Sequence, residues 1–474
     1  MDLLDSEKNF PNYFKIKKSE DFIEEASYKN RFYLISIQKS KKKVMSIYDA
    51  KLLIESTLDY LKLKNEFLDY LKENFLNLDP GLGFIKLEKL LELIKDFFFQ
   101  TKKIHYSVIP DINDQIILFW GYISGLIKLL PLLFDQNIEE IFISPNSEVV
   151  TIDHFQYGRM ATNILISSKE KDNFLYRTAM ENNLEINQLQ PSIKGDIQIK
   201  NLCSLRITGD ITPFSYDGTI LNIRKLHQRE FNLITLIKLH SIDAITCAYI
   251  KTIISLGVNF TIIGSPSSGK TTLQNALLRE MPEFWRIFSF ENTLETNIKK
   301  SNYFRFKIYD YLKSNYNLTE IFSQLLHRSP DFVNLGEITT KEEALAWNAC
   351  MSAGIPIIQT IHSNSSEGLL SRITKVFEIP VELLASSLPH IVIEVKYFWN
   401  NFKKERKVFS LSEFILNNQE ILELNKLAEY DFELRKIVWI DKPEHSKTIE
   451  WLKKNKYSQI DYLFQSNLKK YQDI

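Results

Sequence analysis

The chain has 474 residues, which is enough for two to four domains that each bury a core of their own. Lysine plus arginine and aspartate plus glutamate are equal at 59 each, so the overall charge provides no attraction to nucleic acid or to an acidic membrane. The three cysteines, Cys203, Cys247 and Cys350, stand far apart, which argues against a paired zinc motif or a disulfide framework and favours a reducing cytoplasm.

The first 104 residues are predicted to form a variable and largely helical region. Charged residues are interspersed through the first 22 positions, which leaves no apolar core for a signal peptide. Between residues 47 and 76, apolar side chains recur at steps of three, four and seven, the spacing of a single helical stripe. The stripe consists of Ile54, Leu58, Leu61, Leu68, Leu71 and Phe75. This pattern predicts a helix that packs on a core or binds a partner.

An apolar run at residues 116–134 has about the length of a membrane span. Lys128, Pro131 and two glycines interrupt it, and Asp114 and Asp135 bracket it. Soluble cores contain such strand and helix segments, so we interpret the run as core and predict a soluble protein.

Two short basic runs stand out against the even charge of the chain. They are KSKKK at residues 39–43 and KKERK at residues 403–407. We interpret both as solvated turns, with contact to an anion as the alternative.

The middle of the chain changes pattern twice. From residue 105 to 230, short apolar runs such as IEEIFIS and VVTID alternate with polar turns and helices, which predicts a small α+β domain. From about residue 250 to 396, the strands FTIIG, RIFSF, DFVNLG and IPIIQTI alternate with helical stretches. This is the βαβ rhythm of a parallel sheet covered on both faces, in which phosphate sites lie beyond the carboxyl ends of the strands.

A phosphate-loop motif lies between the first of these strands and the helix after it. Gly264 is followed by four residues and then by Gly269, Lys270 and Thr271, which matches the pattern GxxxxGK[ST]. In such a loop the backbone amides face the phosphates, the lysine reaches the outer phosphates and the threonine hydroxyl holds Mg²⁺. The predicted nucleotide contacts are Gly264, Ser265, Pro266, Ser267, Ser268, Gly269, Lys270, Thr271 and Thr272.

Acidic residues and one histidine stand at the ends of the other predicted strands. The strand in PDFVNLGE ends at Glu337, where a carboxylate can contact Mg²⁺ directly or through water. The stretch FENTLET at residues 290–296 offers Glu291 and Glu295, either of which can orient or deprotonate an attacking water. His362 follows the strand in QTIHSNS, where a half-buried structural histidine is the alternative to a functional one.

A series of blocks between about residues 105 and 396 resembles, in order, the secretion ATPases of type II and type IV systems. The likeness is greatest to the archaeal branch that assembles pili and archaella. The blocks are GYISGLIKLLPLLFDQNIEEIFIS, VTIDHFQYGRMATNI with His154, RITGDITPFSYDGTILNIRKL at 206–226, the phosphate loop, FENTLET as the Asp box, SPDFVNLGE as Walker B and TIHSNS as the His box.

The resemblance implies an α/β architecture with four parts. They are a helical N-terminal extension at 1–104, a smaller α+β domain at 105–230, a RecA-like P-loop NTPase domain with a mainly parallel sheet at 231–396, and a C-terminal extension at 397–474 that packs on the ATPase domain. Members of the family form hexameric rings in which the two central domains enclose the nucleotide.

The resemblance also implies roles for individual residues. Glu291 is the candidate catalytic carboxylate, Glu337 is the Walker B acid that holds Mg²⁺ together with Thr271, and His362 senses the γ-phosphate. Arg206 and Arg224 stand where the family supplies arginines that neutralise phosphate charge.

These observations predict a cytoplasmic, Mg²⁺-dependent ATPase that binds ATP and forms a homohexamer. It is expected at the inner face of the cell membrane, docked on an integral membrane platform protein and acting indirectly on pilin-like subunits, with nucleic acid not an expected partner. Two alternatives stay open: a motor for DNA transfer or uptake, and a regulatory subunit that binds nucleotide with weak hydrolysis.

The chain departs from the family pattern at several positions. Asn292 stands where the family usually has aspartate, and Thr339 where it usually has arginine. The segment Gly354–Ile357 replaces the usual Gly-His-x-Gly, and His327 and Ser329 partly replace arginines before Walker B. The departures bear on turnover and on coupling between subunits, and Asn292 and Thr339 are the basis for the regulatory alternative.

Overall fold

The computed structural model describes most of the chain. The described residues are 22–40, 45–53, 60–74, 85–101, 112–199, 202–226, 229–292, 294–296, 298–308, 324, 327–400, 402–417, 419–455, 457 and 459–472. They form two compact units, Met1–Gln228 with Asn401–Lys403, and Arg229–Asn400 with Lys404–Ile474. The fold is α/β with mixed sheets.

The first unit contains a nine-stranded sheet in the order β1-β2-β3-β6-β5-β4-β9-β8-β7. The strands are β1 (Phe22–Asn30), β2 (Tyr33–Ser40), β3 (Ser46–Leu52), β4 (Ile138–Ile143), β5 (Val149–His154), β6 (Gly158–Leu165), β7 (Ser192–Ile199), β8 (Cys203–Asp210) and β9 (Ile220–Lys225). All neighbouring pairs are antiparallel except β3 and β6, which are parallel. Burial alternates along β7, as expected for a strand with one face on the core.

In the part of this unit that the structure describes, five helices accompany the sheet. They are α1 (Tyr60–Asn74), α2 (Leu87–Thr101), α3 (Ile112–Ser124), α4 (Leu130–Phe134) and α5 (Ser168–Glu181). Aromatic rings of α1, α2 and α3 meet in the core, where Phe67 packs edge-on against Phe97 and Phe119. Aromatic residues bury large areas, so this contact holds the three helices together.

The prediction of a helical N-terminal extension is wrong for the described residues between 22 and 52. They form three strands, and Ile35 and Ile37 of β2 are fully buried with a polar residue between them, the period of a strand. The helix predicted within residues 47–76 starts only at Tyr60, because Ser46–Leu52 is β3. Ile54, Leu58 and Phe75 of the predicted stripe lie outside the described residues.

The apolar run at residues 116–134 is divided between α3 and α4 in the core of the first unit. Gly125 adopts a φ of +79° between the two helices, a conformation that glycine tolerates and that ends α3. Among the helices that the structure describes, none combines the length and apolar character needed to cross a bilayer.

The second unit contains another nine-stranded sheet, in the order β12-β11-β13-β14-β10-β15-β16-β17-β18. The strands are β10 (Asn259–Ile263), β11 (Ile287–Glu291), β12 (Tyr303–Lys307), β13 (Phe332–Ile338), β14 (Ile357–Ile361), β15 (His390–Asn400), β16 (Lys403–Leu416), β17 (Leu422–Asp431) and β18 (Lys436–Trp439). The pairs from β12 to β15 are parallel, and β16, β17 and β18 pair antiparallel. The sheet is therefore mixed.

Four of the parallel strands, β10, β11, β13 and β14, are those predicted from the sequence, and their existence is confirmed. Every residue of β11 and β14 is buried, which explains their continuous apolar character. The antiparallel part of the sheet was not predicted from the sequence.

Eight helices of the described residues accompany the second sheet. They are α6 (Leu233–Lys238), α7 (Ala244–Ile254), α8 (Lys270–Glu280), α9 (Lys341–Ser352), α10 (Ser366–Ser371), α11 (Val381–Ser386), α12 (Lys447–Lys454) and α13 (Ile460–Gln472). A π-helical turn, Arg372–Val376, continues α10, and a 3₁₀ turn, Pro443–His445, precedes α12. Phe464 and Tyr471 of α13 share one buried core with Ile250 of α7, so the C-terminal segment packs within this unit.

Candidate nucleotide-binding site

The phosphate loop connects the end of β10 at Ile263 to the start of α8 at Lys270. Gly264 and Gly269 have φ angles of +152° and +101°, and Ser267 has a φ of +60°. A Cβ atom on Gly264 would lie 2.2 Å from the carbonyl oxygen of Val395, so the first glycine is also required by space. The loop therefore needs both glycines of the motif.

The start of α8 is suited to an anion. Gly269 is its N-cap and provides no side-chain cap for the first amides of the helix. The Ser268 hydroxyl is fully buried and has no hydrogen-bond partner among the described residues. Uncapped amides and an unsatisfied hydroxyl at a helix N-terminus fit a phosphate group.

Lys270 is the centre of the local contacts. Its side chain is 6% exposed, and Nζ lies 3.1 Å from the carbonyl oxygens of Gly264 and Ser265. The same atom lies 3.1 Å from Nδ1 of His362 and 3.8 Å from Oε1 of Glu337. The ammonium group of Lys270 is therefore held in place by the phosphate loop and by the strand ends that carry Glu337 and His362.

Both ring nitrogens of His362 have polar neighbours. Nδ1 lies 3.1 Å from Nζ of Lys270 and 3.3 Å from the carbonyl oxygen of Gly264. Nε2 lies 2.7 Å from Oε1 of Glu337 and donates to this carboxylate, which only accepts. His362 thus connects the phosphate-loop lysine to the carboxylate at the end of β13.

Glu337 and His362 meet because β13 and β14 are adjacent parallel strands. A register irregularity in β13 falls between Leu335 and Glu337. His362 follows the last residue of β14 directly. The Glu337 side chain is 42% exposed, so its carboxylate is accessible to a bound ligand.

Glu291 is placed differently. It is the last residue of β11, is 3% exposed, and accepts hydrogen bonds from its own segment. Oε1 accepts from the hydroxyls of Ser289, at 2.7 Å, and Thr296, and Oε2 accepts from the backbone amides of Glu295, at 2.7 Å, and Thr296, at 2.8 Å. The carboxylate lies beside the strand of Glu337, since a Cβ on Gly336 would be 3.3 Å from its Cγ. Its described hydrogen bonds fold the Asp-box turn and do not reach Lys270.

Glu295 lies in that same turn. Its side chain is partly exposed, and its carbonyl oxygen accepts a hydrogen bond of 3.1 Å from Asn275 of α8. The turn is therefore attached to the helix that starts at the phosphate loop.

The residues present fit a magnesium ion bound with a nucleotide. Among the described side chains there is no group of three or more His, Cys, Asp or Glu that could hold a metal alone. Mg²⁺ in phosphate sites takes one or two protein oxygens, and phosphate oxygens and waters complete its shell. The partly exposed Thr271 hydroxyl at the start of α8 and the accessible Glu337 carboxylate are the matching donors.

Arg206 and Arg224 belong to the first unit. They lie opposite each other on β8 and β9, and Nε of Arg206 is 3.5 Å from Oδ1 of Asp196. Arg224 also lies opposite Glu140 of β4. The sheet thus brings the two arginines to neighbouring strands, each near an acidic residue.

His154 is a structural histidine within the first unit. It is 2% exposed, and Nδ1 accepts the backbone amides of Gln156, at 3.1 Å, and Tyr157, at 3.2 Å. These bonds hold the turn after β5.

Arg406 contacts the phosphate loop, and the sequence analysis did not predict this contact. The run 403–407 was interpreted as a solvated turn, which is wrong, because it is the start of β16. Nε of Arg406 donates to the carbonyl oxygen of Ser267 at 3.0 Å, and a Cβ placed on Gly269 would lie 3.4 Å from its Cδ. A guanidinium group therefore lies against the phosphate loop. The only sequence signal was the basic run itself.

Comparison with known proteins identifies the family. Residues 126–396 match the model of the type II/IV secretion system protein family, and the chain belongs to this family. The resemblance predicted from the sequence motifs is therefore confirmed.

Several relatives and solved structures are similar to the chain. An uncharacterized protein of Methanocaldococcus jannaschii is 25% identical over 289 residues, 58% of this chain and 50% of the relative. A second protein from that organism is 23% identical over 361 residues, 73% of this chain and 46% of the relative. The chain thus spans about half the length of these two relatives. The X-ray structure of the Legionella pneumophila ATPase DotB has a TM-score of 0.44 and 13% identity, covering 78% of this chain and 90% of that one.

Proposed function

We propose that the chain is a Mg²⁺-dependent ATPase that powers assembly of a type IV pilus-like filament or secretion through a membrane platform. The observation that carries this proposal is the contact of Lys270 with His362, and of His362 with Glu337, beside a phosphate loop. Membership in the type II/IV secretion system protein family supports the proposed role in filament assembly or secretion. The proposed domains are those at 105–230 and 231–396, with extensions at 1–104 and 397–474.

The proposed reaction is attack of water on the γ-phosphorus of ATP, with cleavage of the bond to the bridging oxygen. Lys270 exchanges its bonds to the Gly264 and Ser265 carbonyls for bonds to phosphate oxygens, and so neutralises charge at the outer phosphates. Backbone N–H groups between Gly264 and Thr272 bind the other phosphate oxygens, except at Pro266, which has no N–H. Mg²⁺, held by Thr271 and Glu337, supplies further charge neutralisation when bound.

His362 is proposed to detect the γ-phosphate. Its Nε2–H donates to Glu337, and Nδ1 lies 3.1 Å from Nζ of Lys270, so movement of the lysine towards phosphate changes the polar contacts of Nδ1. Arg206 and Arg224 are proposed to neutralise developing charge when the site closes, as an arginine supplied across a moving interface does.

Glu291 is proposed to accept the proton of the attacking water, with Glu295 as the second candidate. For this, one Glu291 oxygen must release a hydrogen bond from Ser289, Glu295 or Thr296. The serine and threonine hydroxyls rotate without moving the backbone, so Oε1 is the oxygen that is released at lower cost.

The proposed assembly is a homohexamer at the cytoplasmic face of the cell membrane, docked on an integral membrane platform protein that contacts pilin-like subunits. Nucleic acid is not a proposed partner, because Lys plus Arg and Asp plus Glu balance at 59 each. A relative from Sinorhizobium fredii, a probable conjugal transfer protein that is 25% identical over 253 residues, keeps a DNA-transfer motor as an alternative.

A regulatory, nucleotide-binding subunit is the second candidate, and the saturation of Glu291 by four hydrogen bonds favours it. Steady-state phosphate release by the full chain, compared with Lys270→Ala, separates the two. A motor gives a rate well above that of the variant, and equal rates reject hydrolysis. Stimulation by DNA, against stimulation by the platform protein's cytoplasmic domain, then separates the two kinds of motor. Mass measurement with a non-hydrolysable nucleotide tests the hexamer.

A further inference from the structure

Glu343 receives an unusual set of hydrogen bonds at the start of α9. It is the third residue of the helix and forms a capping box with Thr340, whose hydroxyl accepts from the Glu343 amide at 3.3 Å. Oε2 accepts the backbone amides of Thr340, at 3.2 Å, and of Thr339, at 2.7 Å, and also the Thr339 hydroxyl at 2.8 Å. The side chain is buried, with 6% of the residue exposed.

The other oxygen of Glu343 leaves the helix and reaches the Asp-box turn. Oε1 accepts a hydrogen bond of 2.7 Å from Nδ2 of Asn292, which lies 51 positions earlier in the chain. Asn292 directly follows Glu291, and Thr339 lies two residues after Glu337. A single carboxylate therefore connects the segment of Glu291 to the segment of Glu337.

This geometry requires a donor at position 292. An ionised carboxylate only accepts hydrogen bonds, so the amide nitrogen of Asn292 must face Glu343. An aspartate at this position would place a second carboxylate in contact with the first, in a part-buried place where like charges repel strongly. Asn292 and Thr339 thus contact the same side chain.

We propose that Glu343 is a positioning residue for hydrolysis, which holds the turn with Glu291 against the strand end with Glu337 through Asn292 and Thr339. This inference rests on the proposed ATPase function. Helix capping alone would use Oε2 and Thr340, and would leave no role for the bond from Asn292 to Oε1.

The test exchanges donor and acceptor between the two positions. Asn292→Asp removes the donor, and Glu343→Gln removes the charge. In the double variant the amide nitrogen of the introduced glutamine donates to the introduced aspartate, while the glutamine oxygen still accepts from Thr339. We expect Asn292→Asp to lower kcat about tenfold and Glu343→Gln to lower it less, because the Asn292 amide can turn its oxygen towards the introduced glutamine. We expect the double variant to recover to within about threefold of the wild type. The KM for ATP changes little, because the phosphate loop is not altered.

Glu342→Gln is the matched control, since Glu342 stands in the same helical turn and is exposed. We expect this control to turn over like the wild type. Losses that multiply in the double variant, or Asn292→Asp with wild-type kcat, overturn the proposal. A change in unfolding midpoint without a change in kcat also overturns it, because it leaves Glu343 as a helix cap only.

A separate measurement shows whether the proposed ATPase function itself is wrong. If it is wrong, the wild type and Lys270→Ala release phosphate at equal rates. In that case hydrogen exchange decides the inference, since the Glu295 and Thr296 amides bind Glu291 beside Asn292. We expect Asn292→Asp to speed their exchange and the double variant to restore slow exchange. Unchanged exchange in the single variants overturns the proposed contact.

Discussion

His362 and Glu337 stand at the ends of neighbouring parallel strands, with Nε2 of the imidazole 2.7 Å from Oε1 of the carboxylate. The opposite nitrogen of the ring lies 3.1 Å from the ammonium of Lys270. The histidine therefore links the lysine of the phosphate loop to the carboxylate of Glu337.

Replacing His362 should lower turnover more than nucleotide binding. His362→Ala removes both contacts, and we expect kcat to fall about tenfold or more, with ADP affinity changed by less than about threefold. His362→Gln retains an amide donor towards Glu337, but no atom of its side chain occupies the position of Nδ1 beside Lys270, so an intermediate kcat is expected. Phosphate-release assays and calorimetric ADP titration provide the two measurements. Equal losses in both variants would show that the Glu337 contact contributes nothing.

Arg406 should contribute to nucleotide affinity. Its guanidinium group supports the Ser267 carbonyl, and its stem covers Gly269. A hydrogen bond from a charged group contributes roughly 1.5–3 kcal/mol, so we expect Arg406→Ala to weaken ADP binding by about tenfold. Lys404→Ala is the control, because Lys404 lies over the rings of Tyr397 and Trp399. If both variants bind ADP equally, the loop contact has no role in binding.

Substitution of Gly264 and Gly354 should distinguish the cost of a positive φ angle from the cost of a steric clash. Both have positive φ angles, +152° and +68°. A Cβ on Gly354 meets nothing within 4 Å, whereas a Cβ on Gly264 would lie 2.2 Å from the Val395 carbonyl oxygen. We expect Gly354→Ala to cost about 1 kcal/mol of unfolding free energy, and Gly264→Ala to cost at least about 3 kcal/mol. Urea denaturation measures both, and similar costs would contradict the clash.

Stability should depend on pH through His390. Burial lowers its pKa from 6.5 to about 3, while Nε2 lies 2.7 Å from Thr261 Oγ1 and the ring packs against Trp347 and Phe414. Between pH 6.5 and 3 the unfolded chain binds a proton that the folded chain does not bind. The contribution of His390 to unfolding free energy is therefore present above pH 6.5 and is lost as the pH falls towards 3, by at most about 1.4 kcal/mol per pH unit.

His390→Gln removes this titration, so its unfolding free energy should vary less between about pH 6.5 and 4 than that of the wild type. The control is His445→Gln, because the side chain of His445 is 57% exposed and lies beside Asp441. Denaturant titrations at several pH values measure the slopes. Equal slopes for the wild type and His390→Gln would contradict this assignment.

Local patterns in the sequence were enough to locate the phosphate loop and the strands that surround it. The spacing from Gly264 to Thr271 and the buried runs of β10, β11, β13 and β14 are properties of adjacent residues. The residue types in the loop and strands predict a phosphate site, and this prediction needs no information about distant parts of the chain. The strand ends with Glu337 and His362 could be expected to converge, because parallel strands end at one edge of a sheet.

Other features depended on contacts between residues far apart in the sequence. β1 to β3 enter the first sheet through the pairing of β3 with β6, although residues 47–76 showed a helical stripe. Arg406 belongs to a basic run in the sequence, but in the structure it lies on a strand and contacts the phosphate loop. Asn292 forms a hydrogen bond with Glu343, which is 51 positions away.

The sequence by itself therefore determined the family, the phosphate loop and the strand ends, because these follow from short-range spacing. Only the tertiary structure decided that Glu291 is bound by its own turn and that Glu343 connects two loops. The physical reason is that a hydrogen bond depends on angles and on distances of about 3 Å, which register and packing determine across the whole unit.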